Sequence, residues 1–377
     1  MESDGSDLSM INIPLAKPYF DETEILAVNE VLASGMVSQG KKVEEFEEQV
    51  RRYVGAKYAI ALNSCTSGLY LATRSKVDLW NTRIAIPAFT FPAAQNVVKH
   101  FGGEMSIEHV DVDKKTYNIN VHHLNQITRK PRHPINMVDT IIPIHQFGLP
   151  CDMDSIEQTA QEHDMNIIED AACALGSTYK GEQIGKRGTA VFSFHGRKII
   201  TTGEGGMVVT DNEELYEQIL EARQHGRNSH GEFMSSGLNF KMSDIHAAIG
   251  IAQMEKLDSI IAQRKEIAFK YWRKIHNPSI WTPNIDPIYS QTNWQSYVVR
   301  LSPHINRDSV ITKMKELGIE TQIGSYDNSK GTCETSDMLA KTTIALPIWP
   351  GMTNEIIQYI TDNLDVTING PTKTQEI

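Results

Sequence analysis

Seven short runs of β-branched and apolar residues recur through the first 210 positions, and they constrain the fold more than any other feature. Most are apolar almost throughout, which is typical of strands buried on both faces. Amphipathic segments such as "CDMDSIEQTAQEHDM" fill the gaps. This alternation predicts an α/β fold with a mainly parallel seven-stranded sheet between layers of helices. The runs are "YAIALNS" from 58, "RIAIPAF" from 83, "SIEHVDV" from 106, "TIIPIH" from 140, "NIIED" from 166, "AVFSFH" from 190 and "GGMVVT" from 205.

A long helical pattern divides the rest of the chain. Ser243 is a favourable N-cap, and the apolar residues at helical spacing after it predict one connecting helix at about 243–275. The Pro- and Asn-rich "NPSIWTPNIDPIYSQTNW" follows, and then short strand-like and helix-like patterns of a small α+β domain. We expect a flexible N-terminus at 1–11, a large domain at 12–255, a small C-terminal domain at 256–365 and a flexible tail at 366–377.

Charge and cysteine usage exclude several function classes. The chain has 36 basic and 47 acidic residues, a net charge of -11 and no long basic run, so a nucleic-acid partner is not expected. The N-terminus has no apolar signal region and no segment reaches eighteen consecutive apolar residues, which favours a cytoplasmic protein without membrane contact. Four cysteines without CxxC spacing indicate neither a metal site nor a disulfide framework.

Chemically useful side chains follow the predicted strands, at the edge where open α/β sheets bind ligands. After the first strand, "NSCTSG" opens a helix whose free N–H groups suit a phosphate, although ordinary capping also explains these residues. After the second, Phe89 and Phe91 can belong to the core or stack on a flat ring. After the fifth come Glu169 and Asp170, and a buried carboxylate there needs a partner.

A single lysine follows the sixth strand in "FSFHGRKIITTGEGG". Strand alternation places Ser193 and His195 on the same side, and Lys198 lies on the glycine-rich loop after them. A loop lysine alone is more often a hydrated surface group. Combined with a phosphate site, an aromatic ring and a carboxylate at neighbouring strand ends, however, it matches the requirements of pyridoxal 5'-phosphate (PLP). These four features together therefore predict a PLP site.

The chain resembles the PLP-dependent sugar aminotransferases often named after DegT and StrS, which have the fold-type-I aminotransferase fold. The resemblance covers roughly residues 12 to 365 and implies that the large domain binds PLP. Its ordered motifs include "NSCTSGLYLA", "IPAFTFPAA", "PIHQFGLPCDMD", "IIEDAACALGSTYKG", "FSFHGRKIITTGEGG", "GLNFKMSDIHAAIGIAQMEKLD" and "IALPIWPGMT".

Residue roles are implied motif by motif. The resemblance makes Lys198 the Schiff-base lysine and proton shuttle, places Asp170 beside the pyridine nitrogen, and sets Phe91 against the ring.

Phosphate binding carries over to Thr66, Ser67 and Ser193. In the family, the asparagine that matches Asn239 reaches the phosphate of the neighbouring subunit, which implies a homodimer with shared active sites.

The resemblance implies transfer of an amino group from L-glutamate to a nucleotide-linked 4-keto or 3-keto sugar, with pyridoxamine 5'-phosphate (PMP) as the intermediate form of the cofactor. Three alternatives stay open: amination of a cyclitol ketone, a PLP-dependent sugar dehydratase, and a PLP-bearing regulatory protein without turnover. Histidine replaces the lysine in the dehydratase branch, so Lys198 argues against that alternative.

Two departures from the family pattern bear on the site. Cys173 occupies the position after "EDAA" that usually carries Gln, Glu or His, so a contact near the phenolic oxygen of the cofactor is absent or replaced by water. The loop after Tyr326, which aligns with a substrate-facing tyrosine region, is short.

Further candidates for substrate contact are three polar residues, His195, His230 and Lys241. For His195, a polar side chain that is hydrogen-bonded to backbone at a strand end is as good an explanation as a catalytic role. For His230 and Lys241, a position on a solvated face is a sufficient explanation.

Overall fold

The computed structural model describes residues 12–76, 83–129, 137–283 and 289–369. The predicted flexible N-terminus at 1–11 lies outside these residues. The helices are α1 (Glu22–Ser34), α2 (Lys41–Val54), α3 (Cys65–Arg74), α4 (Ala93–Gly102), α5 (Val121–Thr128), α6 (Met153–Glu162), α7 (Glu213–Arg223), α8 (Asp244–Lys274), α9 (Arg307–Glu316), α10 (Glu334–Thr342) and α11 (Asn354–Asn369).

The strands are short, and several consist of two residues. They are β1 (Tyr58–Leu62), β2 (Ile84–Pro87), β3 (Phe89–Thr90), β4 (Ile107–Val110), β5 (Thr140–Ile141), β6 (Asn166–Ile167), β7 (Glu169–Asp170), β8 (Thr178–Tyr179), β9 (Glu182–Gln183), β10 (Thr189–Ser193), β11 (Gly206–Thr210), β12 (Ile280–Trp281), β13 (Ser290–Gln291), β14 (Tyr297–Leu301), β15 (Gln322–Ile323), β16 (Tyr326–Asp327) and β17 (Thr343–Leu346).

Two four-stranded groups, β1-β11-β10-β7 and β4-β2-β5-β6, form the central sheet. β6 and β7 are consecutive parts of one extended segment, and a parallel bridge between Ile144 and Asp170 joins the two groups. The sheet therefore has seven strand positions in the order β1, β11, β10, β6/β7, β5, β2, β4. β11 runs antiparallel to β1 and β10, and the other pairs are parallel. The predicted fold class, α/β with a mainly parallel seven-stranded sheet, is confirmed.

Side-chain alternation along β1 shows why the sheet is covered on both faces. Ala59 and Ala61 pack into a core with α2 and α8, whereas Ile60 and Leu62 pack into a second core with α3, α4 and α7. Because both faces are buried, the strands are apolar at successive positions rather than at every second one. Their polar residues are therefore concentrated at the strand ends.

α8 connects two packing units. Its first part, through Ile260, belongs to the core beneath the central sheet, and Ile267 and Tyr271 belong to the core of the C-terminal part. That second core also contains the antiparallel sheet β12-β14-β17-β15. Ile13, assigned from the sequence to the large domain, packs here as well, because its backbone N–H donates to Gly318 O. The division at 255 and 256 itself remains a prediction.

α11 extends the C-terminal core beyond the predicted start of the tail. Ile357, Ile360 and Leu364 are buried at helical spacing, and Ile368 continues the same apolar stripe. Residues 366–369 are therefore helical rather than loose, because the stripe has a core to pack against. The remainder of the predicted tail, 370–377, lies outside the described residues.

Candidate active site

A cavity of about 320 Å³ lies where the carboxyl ends of the central strands meet residues of the C-terminal part. Parallel strands direct their carboxyl ends to one edge of a sheet, so side chains distant in sequence converge there. Residues just after β1, β7 and β10 line the cavity on one side, and residues around β15 and β16 line it on the other. The predicted site residues that line it are Thr66, Phe91, Asp170, Ser193, His195, Lys198 and Tyr326.

Lys198 is held on a tight loop between β10 and β11. Its backbone N–H donates to His195 O at 2.8 Å, and its half-buried side chain places Nζ 3.1 Å from Cys173 Sγ. Burial by itself lowers the pKa of Lys198. The negative potential of Cys173, with smaller contributions from Cys65 and Asp170, outweighs that effect and raises the pKa above the usual value.

Asp170 ends β7 between β5 and β10, and it is 6% exposed. One carboxylate oxygen accepts the Ala172 N–H at 3.0 Å. Burial raises the pKa of Asp170, because a charge surrounded by protein is poorly solvated; the Ala172 N–H and the positive charge of Lys198 offset this in part. Within the described residues the other oxygen has no hydrogen-bond partner. The carboxylate is therefore suited to a cationic partner inside the cavity.

The start of α3 supplies an anion site. The Ser64 side chain caps the helix by accepting the Ser67 N–H at 3.1 Å, which leaves the N–H groups of Cys65 and Thr66 without partners inside the helix. The helix dipole adds positive potential at this end. Gly206 makes the arrangement possible, because a Cβ there would lie 2.4 Å from backbone atoms of Ser64 and Cys65.

Two aromatic rings stand at the cavity mouth. Phe91 and Tyr326 are 62% and 46% exposed, and their ring centroids are 6.3 Å apart in an edge-on arrangement. Antiparallel pairing of β3 with β16 brings them together. Phe89 is instead fully buried against Tyr117, so it belongs to the core. Of the two possibilities left open for each phenylalanine, the core position holds for Phe89, whereas stacking of Phe91 on a flat ring remains a prediction.

The donor set fits PLP. A phosphate group suits the free N–H groups of α3 and the hydroxyl of Ser193, and a protonated pyridine nitrogen suits Asp170. An aldehyde suits the amine of Lys198, and Phe91 offers an aromatic face. All of these groups line one cavity.

Comparison with known proteins agrees with this chemistry. The model of the DegT/DnrJ/EryC1/StrS aminotransferase family matches residues 18–365. The chain belongs to this family. It is therefore a PLP-dependent sugar aminotransferase with the fold-type-I fold, and the resemblance, the enzyme class and the cofactor predicted from the motifs are confirmed.

Relatives of the aminotransferase span nearly its whole length. It is 36% identical over 373 residues to the uncharacterized protein MJ1066 of Methanocaldococcus jannaschii, with 91% of this chain and 94% of MJ1066 covered. It is 32% identical over 388 residues to the spore coat polysaccharide biosynthesis protein SpsC of Bacillus subtilis, with 95% and 97% covered. The PMP form of Spr1654 from Streptococcus pneumoniae matches with a TM-score of 0.87 at 25% identity, covering 94% and 97%.

Four predicted site residues of the aminotransferase do not line the cavity. The Ser67 hydroxyl instead donates to Asn63 Oδ1 at 2.6 Å, because the same turn that caps α3 directs it there. Asn239 and Lys241 are exposed on a segment that pairs with the end of β1, and His230 is exposed on the loop that precedes it. Their predicted roles in phosphate or substrate binding remain predictions.

His195 lines the cavity at its exposed edge, with Nε2 3.7 Å from Glu204 Oε1. This position leaves both the strand-end explanation and a role in substrate binding open.

None of the described helices combines the length and the apolar character needed to cross a bilayer.

Sequence reasoning missed several cavity residues. Gln146 directly follows the fourth predicted strand, so the strand-end rule applied there would have found it. Gln295 and Gln322 come from the C-terminal part, where no strand-end rule points to the cavity. Arg197 precedes Lys198 in the same motif, but no sequence signal marked it as a cavity residue. Its Nη1 donates to Gln322 Oε1 at 2.7 Å and so links the loop that carries Lys198 to the C-terminal part.

Proposed function

We propose that this aminotransferase transfers an amino group from L-glutamate to the keto carbon of a nucleotide-linked 4-keto or 3-keto sugar. The observation that carries the proposal is the convergence of Lys198, Asp170 and the open start of α3 on one cavity. Similarity to SpsC, named for polysaccharide biosynthesis, supports a sugar acceptor. A cytoplasmic location remains a prediction from the sequence.

Lys198 carries the central chemistry in this proposal. Its Nζ would bind the aldehyde carbon of PLP, and when the amino donor displaces it the free amine accepts the proton of the donor's Cα. In the second half-reaction the same Nζ returns a proton to the sugar carbon that receives the amino group. PLP, when bound, withdraws the electrons released at the amino-bearing carbon. The contact with Cys173 Sγ keeps the freed amine within the site between the two transfers.

The other cavity residues hold the reactants in this mechanism. Asp170 would stay ionised opposite the pyridine nitrogen, because the opposite charge compensates for the cost of burial that raises its pKa in the free protein. The N–H groups of Cys65 and Thr66, with the hydroxyl of Ser193, would bind the phosphate. Phe91 would cover the ring at the cavity mouth and exclude water.

We further propose a homodimer, because two segments of the described chain carry exposed apolar residues. In and beside α1, Ile25, Leu26 and Met36 are 58% to 70% exposed. Phe233 and Met234, close to Asn239, are 71% and 68% exposed. Contiguous exposed apolar residues of this kind favour protein contacts over solvent. A second copy would cover them and bring its Asn239 towards the phosphate site.

The acceptor is tested with the PMP-loaded protein. The cavity mouth is open and lined by Phe91 and Tyr326, so the accepted ketosugar should restore the absorbance band of the lysine-bound cofactor whether it carries UDP, dTDP or GDP. Of the 4-keto and 3-keto forms, only one should react. If only cyclitol ketones restored the absorbance band, the acceptor would be a cyclitol ketone rather than a nucleotide-linked sugar. Release of a deoxygenated, unaminated sugar would indicate a dehydratase, and no response to any ketone would indicate a regulatory protein.

A further inference from the structure

The thiol of Cys173 and the amine of Lys198 form a reactive pair with fixed geometry. Sγ and Nζ are 3.1 Å apart, and both residues line the cavity that opens to solvent. Cys173 is held from the other side, because Asn293 Nδ2 donates to its backbone O at 2.8 Å. Asn293 is itself fully buried, so the turn that carries the thiol is anchored in the protein interior. The amine is therefore already at near-attack distance from the sulfur.

We propose that Cys173 is a peroxide-sensitive modification site whose oxidised sulfur forms a covalent S–N bond with Lys198. In the first step hydrogen peroxide transfers one oxygen to the thiol, which gives a sulfenic acid and one water. In the second step the lone pair of Nζ attacks the sulfur. The S–N bond forms as the S–O bond breaks, and the hydroxyl leaves with one amine proton as a second water. Sulfur is oxidised by two electrons, and the peroxide is reduced.

Electrostatics favour the second step once the first has occurred. The negative potential of Cys173 is the main influence that raises the pKa of Lys198, and burial opposes it. A sulfenic acid in its neutral form does not supply that potential, so only the smaller influences of Cys65 and Asp170 still oppose burial, and the balance shifts towards the uncharged, nucleophilic amine. The reaction also requires that Lys198 is not bonded to the cofactor, which is the situation in the PMP form.

The cross-link would inactivate the protein reversibly. It occupies the amine to which the proposed function assigns cofactor binding and proton transfer, and this consequence alone rests on that function. Attack of an external thiol on the sulfur breaks the S–N bond, restores the lysine and leaves a mixed disulfide that a second thiol reduces.

The test treats the full-length PMP-loaded protein with hydrogen peroxide and measures its intact mass and its proteolytic peptides. The expected result is an intact mass lower by two hydrogen atoms and a peptide that joins Lys198 to Cys173. Addition of dithiothreitol should restore the original mass and the two separate peptides. The Cys65→Ser variant should still form the link, whereas Cys173→Ser should not. The PLP-loaded protein, in which the lysine is occupied, should form less of it.

Two results would overturn the proposal. A disulfide between Cys65 and Cys173 gives the same mass change, but it disappears in Cys65→Ser and leaves the Lys198 peptide unmodified. Addition of oxygen atoms to Cys173 without any linked peptide would show that the amine does not attack. Because all readouts are masses, they are independent of whether the protein turns over any sugar.

Discussion

At the residue scale, burial and charge set the ionisation of the two side chains central to the site, Asp170 and Lys198. Asp170 was found from a sequence rule, because carboxylates rarely end a buried strand without a partner. Lys198 was equivocal by itself and became informative only beside the other strand-end groups. The contact of Lys198 with Cys173 was not predictable, since it depends on the path of the turn after β7 and on its anchor at Asn293.

Replacement of Asp170 by Asn should have opposite effects with and without the cofactor. An Asp170–pyridinium pair contributes about 4 kcal/mol at 4 Å with an effective dielectric constant near 20, so the variant should lose roughly a thousandfold in the glutamate half-reaction. In the cofactor-free protein the pKa of Asp170 is raised, so the ionised form destabilises the fold at neutral pH. The cofactor-free variant should therefore unfold at a higher temperature than the wild type.

The pH dependence provides the control for this substitution. The gain in stability should be largest at neutral pH and should shrink as the pH falls towards the ordinary aspartate pKa, because the wild-type carboxyl is then neutral as well. The gain is measured as the difference in unfolding temperature between Asp170→Asn and the wild type at several pH values from neutral to acidic. A gain that is independent of pH would show that packing, rather than the buried charge, is responsible.

At the element scale, sequence periodicity identified the strands and the long helix closely, because buried strands and amphipathic helices have different apolar patterns. The predicted helix at about 243–275 corresponds to α8, Asp244–Lys274. The direction of each strand was harder to predict from the sequence. β11 is antiparallel because the loop after β10 returns the chain directly, and an apolar run carries no mark of its direction. The position of the Ser67 hydroxyl was likewise not predictable from the sequence, because the geometry of the α3 cap directs it to Asn63 Oδ1.

Gly206 should be intolerant of a methyl group. A Cβ there would meet the Ser64 carbonyl oxygen and the Cys65 nitrogen at 2.4 Å, and backbone atoms at the start of α3 cannot move aside without disturbing the anion site. Overpacking of this kind costs about 1–3 kcal/mol, so Gly206→Ala should lower the unfolding temperature and weaken PLP binding.

Gly196, on the loop between β10 and β11, is the matched control for Gly206. A Cβ there would have its nearest neighbour at 3.9 Å, so Gly196→Ala should leave stability and PLP binding close to those of the wild type. Equal effects of the two substitutions on PLP binding would contradict the assignment of the phosphate to the start of α3.

At the scale of the whole molecule, the cavity depends on the docking of distant parts. Gln295 and Gln322 reach it only because the C-terminal sheet packs beside the strand ends, and local patterns contain no information about that docking. The sequence therefore predicted the half of the site built from the central sheet. The half contributed by the C-terminal part was largely missed, apart from Tyr326, which the family resemblance supplied.

If Asn239 completes the phosphate site of a second copy, its loss should weaken cofactor retention without disturbing the subunit that carries it. Hydrogen bonds to charged groups contribute about 1.5–3 kcal/mol, so Asn239→Ala should release PLP roughly ten- to a hundredfold more readily. His230→Ala, in the exposed loop nearby, is the control and should retain PLP normally. Solution scattering that shows a monomer with full PLP occupancy would contradict the shared site.

The most direct test of the role of Lys198 is the reaction of the PLP-loaded protein with L-glutamate alone, followed by absorbance and by analysis of the products. We expect conversion of the bound cofactor to PMP with one equivalent of 2-oxoglutarate, and no conversion in Lys198→Ala loaded with the same cofactor. A wild-type protein that binds PLP but leaves it unchanged, or a Lys198→Ala variant that converts it at the wild-type rate, would contradict the assignment of Lys198 as the residue that moves the proton.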